Sequence, residues 1–253
     1  MSAPSAAEPP WPSLGVVVPV YNEAAGIETG CREIVASIRA YPGRAVVIAV
    51  DDGSADDSAA IVERLSTELE PLELVRHASN AGYGQTLRTG AKRALDLGLD
   101  YVAFIDADLT NPPDDLLQIG ALARQGHAYI KGSRFAPGGS IAAVPLRRRA
   151  WSQAGNVIAR RLFGTSVRDV TNGFRGGRTE LLCSWPTRER GFAVIVEEFD
   201  YALRARIEPV EFPTSLSARR ADQRATTFAY DLPTLWSYLR YPLHAFARRM
   251  LRR

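Results

Sequence analysis

The chain predicts an α/β fold, a mainly parallel central sheet flanked by helices. Three observations carry that prediction. Apolar runs of strand length alternate with stretches of helical apolar spacing through the first half of the sequence. Several of the runs are apolar throughout, as strands covered on both faces are. Three of them stop at a polar signature: Tyr21-Asn22-Glu23, Asp51-Asp52-Gly53-Ser54 and Asp106-Ala107-Asp108. With right-handed crossovers those three ends share one rim of a parallel sheet, where open α/β sheets bind ligands.

Residues 14–20 (LGVVVPV) read as a central buried strand. A helix follows over about residues 23–38, with Ile27, Cys31, Ile34, Val35 and Ile38 on one face. Pro42-Gly43 ends it, and residues 45–50 (AVVIAV) form the second strand. Asp56 or Asp57 caps a helix over about residues 58–69. A short strand at 72–75 leads to the glycine-bearing loop Asn80-Ala81-Gly82-Tyr83-Gly84 and a helix to residue 97. Residues 101–105 are the next strand, Asn111-Pro112-Pro113 turn the chain, a helix covers 113–124 and a strand 128–131.

The 253 residues suit one large domain or two small ones, with 46% hydrophobic and 23% charged residues, as in soluble globular chains. A net charge of +3 is too mild to indicate a nucleic-acid partner. The two cysteines, Cys31 and Cys183, have no metal-binding spacing and read as reduced thiols of a cytoplasmic protein. Residues 1–13 read as a disordered tail and not a signal peptide, residues 14–225 as the main domain and 226–253 as a basic amphipathic segment. No window approaches the ~18 apolar residues of a spanning helix. The last segment, with Leu235, Trp236, Leu239, Leu243, Phe246 and Met250 among arginines and Pro242 as a kink, suits either an interfacial helix on an anionic membrane or a helix packed on the domain.

Asp106 and Asp108 repel one another unless a cation joins them, and hard oxygen ligands favour Mg²⁺ or Mn²⁺ shared with substrate phosphates. The same spacing also arises in a solvated acidic turn. What narrows the choice is order. VPVYNE, VDDGSADDS, NAGYG, FIDADLTNPPDD, GSR and DVTNGFR occur in the sequence and spacing that resemble the inverting glycosyltransferases of the GT-A fold, and most of all their polyprenyl-phosphate glycosyltransferase group, over roughly residues 14–220.

That resemblance implies a nucleotide-diphosphate-sugar donor and a polyprenyl phosphate acceptor. It implies that Pro19, Tyr21 and Glu23 line the base and ribose pocket, that Asp52 with the backbone of Val50 reads the base, and that Gly82 and Gly84 belong to a family loop. Asp106, Ala107 and Asp108 would meet the donor, Asp106 and Asp108 the metal, and Thr110 would add a ligand directly or through water. Arg134, Arg148 and Ser152 would hold the acceptor phosphate; Asp169, Thr171 and Arg175 match a further motif, and Arg219 matches the arginine of a closing segment over the donor phosphates. This segment departs from the family pattern: its Gly, Ser and Lys are missing, and Arg224 sits one residue before the lysine position.

A phosphate monoester acceptor is already ionised at neutral pH, because its second pKa is about 6. It needs positioning and cations rather than a general base. A hydroxyl acceptor needs a base, for which Glu197 and Glu198 are the candidates. The expected activity is metal-dependent, inverting sugar transfer, with GDP-mannose as the expected donor and UDP-sugars or soluble acceptors as alternatives, at the cytoplasmic face of a membrane. Two other classes fit parts of the sequence. FIDADLT also suits a haloacid-dehalogenase-like phosphatase with Asp106 as nucleophile, and the altered closing segment suits a scaffold that binds a nucleotide sugar without transferring it.

Overall fold

The computed structural model describes residues 9–141, 146–217 and 232–251. Its strands are β1 (Leu14–Val20), β2 (Ala45–Asp51), β3 (Leu72–Arg76), β4 (Tyr101–Phe104), β5 (Tyr129–Ser133), β6 (Arg175–Arg178) and β7 (Val210–Pro213). The helices are α1 (Ile27–Ile38), α2 (Ser58–Glu68), α3 (Tyr83–Asp96), α4 (Leu116–Arg124), α5 (Leu146–Phe163), α6 (Thr179–Ser184), α7 (Val194–Arg204) and α8 (Leu232–Met250).

The strands form one seven-stranded sheet in the order β3-β2-β1-β4-β6-β5-β7. β1 pairs in parallel with β2 and β4, β2 with β3, and β5 with β7. β6 runs antiparallel to both its neighbours, β4 and β5. Its residues, Arg-Gly-Gly-Arg, carry no apolar signal, so sequence pattern missed it. The glycines are needed by close packing: a Cβ on Gly176 would lie 2.9 Å from Val102 O, and one on Gly177 2.8 Å from Ala128 O.

Alternation along β1 feeds two cores. Val16 and Val18 pack beneath α1, α2 and α4 with Ile34, Leu65 and Ile119. Val17 packs on the other face with Leu87, Val194 and Phe199 of α3 and α7. The partly buried Tyr238 and Tyr241 and the buried Ala245 of α8 join that second core, and α8 runs through Pro242, which is itself buried.

Two boundaries depart from expectation. The first helix begins at Ile27, not near residue 23, because Asn22 takes φ +54° and Glu23 O accepts from the Gly26 and Ile27 amides in a separate turn. Residues 9–13 are part of the fold rather than disordered. Trp11 meets Tyr41 edge-on at 5.4 Å, Arg124 Nε donates to Pro9 O at 2.6 Å, and Ser13 Oγ donates to Asp100 Oδ2 at 2.7 Å.

Candidate active site

The rim at the carboxyl ends of β1, β2 and β4 is a chain of side-chain bonds that joins the three signatures. The first join is between Tyr21-Asn22-Glu23 and the turn after β2. Ser54 Oγ accepts from the Asn22 amide at 3.0 Å, Asn22 Oδ1 from the Ala55 amide at 2.8 Å, and Ser58 Oγ from the Glu23 amide at 2.8 Å. Asp56 accepts from the Ser58 and Ala24 amides at 3.0 and 3.1 Å, so it caps α2 and pins the neighbouring turn at once. Burial would raise its pKa, but the hydrogen bonds from Ser58 outweigh this and leave it lowered. Asp57 occupies the N-cap position without a side-chain bond.

The second join is Asp52. Its Oδ1 lies 2.7 Å from His77 Nδ1 and accepts from the Ala81 amide at 2.8 Å; its Oδ2 accepts from the Gly82 amide at 2.8 Å. At 3% exposure the carboxylate anchors the glycine loop. The third join is Tyr83, at the start of α3, whose hydroxyl donates to Asp106 Oδ1 at 3.2 Å. Burial raises the pKa of Tyr83, so it stays a neutral donor. Asp52 and Asp106 are thus joined through one loop, 81–83, along a single edge.

Asp108 is buried, and its Oδ1 accepts from the Thr110 amide at 3.0 Å and the Thr110 hydroxyl at 2.9 Å. Leu109 between them holds φ +53°, a strained conformation for leucine. The segment after β7 secures this turn: Ser217 N donates to Thr110 O at 2.8 Å, and Asn111 Nδ2 to Ser215 O at 3.2 Å. Of the other predicted donor residues, Tyr21 is exposed, Pro19 and Glu23 are half-buried at the rim, and Val50 and Ala107 are buried. Arg219 and Arg224 lie outside the described residues.

The acceptor half is more committed internally than its sequence suggested. Arg134 spans the Asp169 carboxylate, with Nε at 2.7 Å and an Nη at 2.8 Å, and donates to Thr171 Oγ1 at 3.0 Å. Burial would raise the Asp169 pKa, yet Arg134 outweighs it and holds the group below the carboxylate range. Asn156 of α5 donates to the same Thr171 hydroxyl at 3.0 Å, so α5 docks on this pair. Ser152 lies half-buried on that edge of α5; Arg148 is in the same helix, its side chain outside the described residues. Arg175 is fully buried. It grips Glu198 through 2.6 and 2.8 Å bonds and lies 4.5 Å from the Phe104 ring centroid, a core ion pair.

Sequence reasoning missed the loop 186–191. Glu197 accepts from the Arg188 and Glu189 amides at 3.0 and 2.9 Å. Arg190 O accepts from the Gly84 amide at 2.7 Å, and Arg190 Nε donates to Ala81 O at 2.9 Å. A Cβ on Gly84 would fall 2.0 Å from Glu189 O, which explains that glycine by contact. The Glu189 carboxylate is held from outside by Arg240 and by the Tyr241 hydroxyl of α8 at 2.8 Å. A cavity of about 470 Å³ lies by α3 and α6, lined by Arg88, Lys92, Cys183 and Trp185.

Asp106 and Asp108 suit a divalent cation. Among the described residues no cluster of three or more His, Cys, Asp or Glu exists, so two carboxylates would leave the remaining positions to diphosphate oxygens and water, the habit of Mg²⁺.

Fold and rim together define a GT-A domain. The chain belongs to Glycosyl transferase family 2, which its residues 15–184 match. It is 29% identical to the polyprenol monophosphomannose synthase of Mycolicibacterium smegmatis over 168 residues, 66% of this chain and 62% of that one. It is 25% identical to the dolichol-phosphate mannosyltransferase of Pyrococcus furiosus over 209 residues, 81% of this chain and 57% of the other. The chain therefore spans about 60% of the length of these relatives. The glucosyl-3-phosphoglycerate synthase of Mycobacterium tuberculosis, crystallised with Mn²⁺, uridine diphosphate and glucosyl-3-phosphoglycerate, superposes with a TM-score of 0.67 at 19% identity, over 93% of this chain and 80% of that one. Family membership replaces the phosphatase reading of FIDADLT.

Proposed function

We propose that the protein transfers a sugar from a nucleotide-diphosphate sugar to a polyprenyl phosphate, with inversion at the anomeric carbon. One observation carries the acceptor assignment. Both carboxylates that sequence analysis offered as general bases are engaged elsewhere: Glu197 caps the backbone at 188–189, and Glu198 is locked on Arg175. A hydroxyl nucleophile would lack either base, whereas an ionised phosphate oxygen needs none. The lipid-phosphate acceptors in the names of the relatives support the same reading.

The donor base and ribose lie against Pro19, Tyr21 and Glu23, with the Asp52-anchored loop as one wall. Asp106 and Asp108 would hold Mg²⁺ or Mn²⁺, which when bound neutralises charge building on the departing diphosphate. Arg134, Arg148 and Ser152 orient the acceptor phosphate for in-line attack, and Arg219 covers the donor phosphates. We assign GDP-mannose as donor, supported by the mannosyl names of the relatives. The reaction takes place at a membrane surface, with the protein peripheral on the cytoplasmic side.

The test is a transfer assay with labelled nucleotide sugars, polyprenyl phosphate and soluble phosphorylated acceptors, with Mg²⁺ or Mn²⁺. Lipid-linked product from GDP-mannose is expected. Asp108→Ala should abolish metal-stimulated transfer, and Arg148→Ala should raise the KM for the lipid more than that for the donor. Transfer only to soluble hydroxyl acceptors would overturn the assignment.

A further inference from the structure

We infer that α5 and α8 together form the face by which this protein lies on an anionic phospholipid bilayer, with the outer edge of α5 against the lipid and its inner edge against the Arg134 group. The inference rests on the proposed lipid acceptor for its purpose; the bilayer contact itself rests on the following observations.

The outer side of α8 is an uncovered apolar stripe. Leu232, Trp236, Leu243, Phe246 and Met250 recur at helical spacing and are 81%, 61%, 39%, 40% and 43% exposed. The opposite side, with Tyr238, Pro242 and Ala245, packs into the domain. So the helix is docked on the fold by one face and apolar outward on the other. On α5, Leu146 and Trp151 are 78% and 70% exposed, while Asn156, Ala159 and Phe163 on its inner edge are buried. The helices pack on each other, and Arg249 of α8 donates to Leu162 O at the end of α5 at 3.4 Å.

Charge selects the occupant. Leu146–Phe163 and Leu232–Met250 hold eight arginines and no aspartate or glutamate; Arg240 and Arg248 are paired with Glu189 and Asp200 of the domain, while Arg149 and Arg161 stand exposed. A second copy would set one cationic face against another. A nucleic acid would take the cations but leave the leucine, tryptophan and phenylalanine stripe in water. An anionic bilayer accepts both, the apolar stripe in the headgroup–acyl boundary and the exposed arginines, Arg149 and Arg161 among them, at the phosphates.

The position of α5 gives this face a consequence for the reaction. Its inner edge reaches Arg134 through Asn156 and Thr171. A helix is about 10 Å thick. A lipid-borne phosphate therefore has about one helix diameter to cross from the bilayer to that arginine while its polyprenyl chain stays in the membrane.

The tryptophans make the proposal measurable. The chain has four, and Trp151 and Trp236 are exposed on the two helices, whereas Trp185 is buried and Trp11 is half-buried against Tyr41. The full chain is mixed with vesicles of phosphatidylcholine alone, or with added phosphatidylglycerol, with or without brominated acyl chains. Expected are sedimentation with the anionic vesicles only, weakening with added salt, and bromine quenching that Trp236→Ser and Trp151→Ser each reduce. Trp236→Ser/Phe246→Ser should lower vesicle affinity about tenfold, the scale of lost interfacial burial. The same double variant should keep wild-type transfer to a short-chain, water-soluble polyprenyl phosphate, which also shows that it folds.

Wild-type vesicle binding by that variant, equal binding to neutral vesicles, or absence of quenching would overturn the inference. So would a concentration-dependent dimer broken by the same substitutions without vesicle binding, or capture by duplex DNA alone. Vesicle binding without transfer to any lipid phosphate would sink the acceptor reading and leave the membrane face standing; transfer without vesicle binding would do the reverse.

Discussion

The Tyr83 hydroxyl donates to Asp106 Oδ1 at 3.2 Å, and its ring lies 4.5 Å from that of Phe192. This one residue carries the geometry of the glycine loop to the acidic turn. Tyr83→Phe keeps the ring packing and removes the bond to a charged acceptor, an interaction of about 1.5–3 kcal/mol. We expect kcat/KM for the donor to fall roughly tenfold, with the half-saturating concentration of Mg²⁺ or Mn²⁺ raised and the melting temperature little changed. Steady-state kinetics across a metal titration check it.

Behind that contact stands Glu189, whose carboxylate meets Arg240 and Tyr241 while its carbonyl packs on Gly84 and accepts from Arg88 at 2.9 Å. Glu189→Ala frees the 186–191 loop from α8. The donor KM should rise several-fold while the acceptor KM stays put, and hydrogen exchange at the amides of residues 82–84 should quicken. Unchanged exchange there would show that Glu197 alone holds the loop.

Arg175 and Glu198 form a buried pair, bonded at 2.6 and 2.8 Å. Burial opposes the guanidinium charge, yet Glu198 outweighs burial and raises the Arg175 pKa. Removing one partner strands the other charge, at a cost of about 3–5 kcal/mol. Arg175→Met and Glu198→Leu should each destabilise by that amount in denaturant titrations, and the double variant by less than either.

Lys131 is fully buried on β5, with its amine donating to Asn172 O at 3.1 Å. Burial, then the charge of Arg175, lowers its pKa to about 7. In the unfolded chain it titrates near 10.4. Between these values the unfolded state binds the extra proton, so this lysine's contribution to stability rises with pH through that window and is flat below it. The stability advantage of Lys131→Met over wild type should therefore be greatest below pH 7 and shrink by about 1.4 kcal/mol per pH unit above it. Parallel urea titrations at pH 6, 8 and 9.5 measure the slope.

Much of the fold was legible because its signals are local. Apolar runs, the turn residues after β1, β2 and β4, and the glycine loop each announce themselves within a few residues. Residues 9–13 were misjudged because their composition is that of a tail, while Trp11 and Ser13 find partners at Tyr41 and Asp100. β6 stayed hidden because a strand of arginines and glycines is held by its neighbours and not by its own propensity.

The sequence by itself determined the α/β alternation, the shared rim of Tyr21-Asn22-Glu23, Asp51-Asp52 and Asp106-Ala107-Asp108, and the family. Only the tertiary structure decided which charges stay at that rim and which are consumed within the protein. Asp52 closes on Gly82 across 30 residues, Arg175 on Glu198 across 23, and Arg240 on Glu189 across 51. A charged side chain looks the same in sequence whether it faces solvent, a ligand or a partner; its role follows from what folding brings within about 3 Å of it.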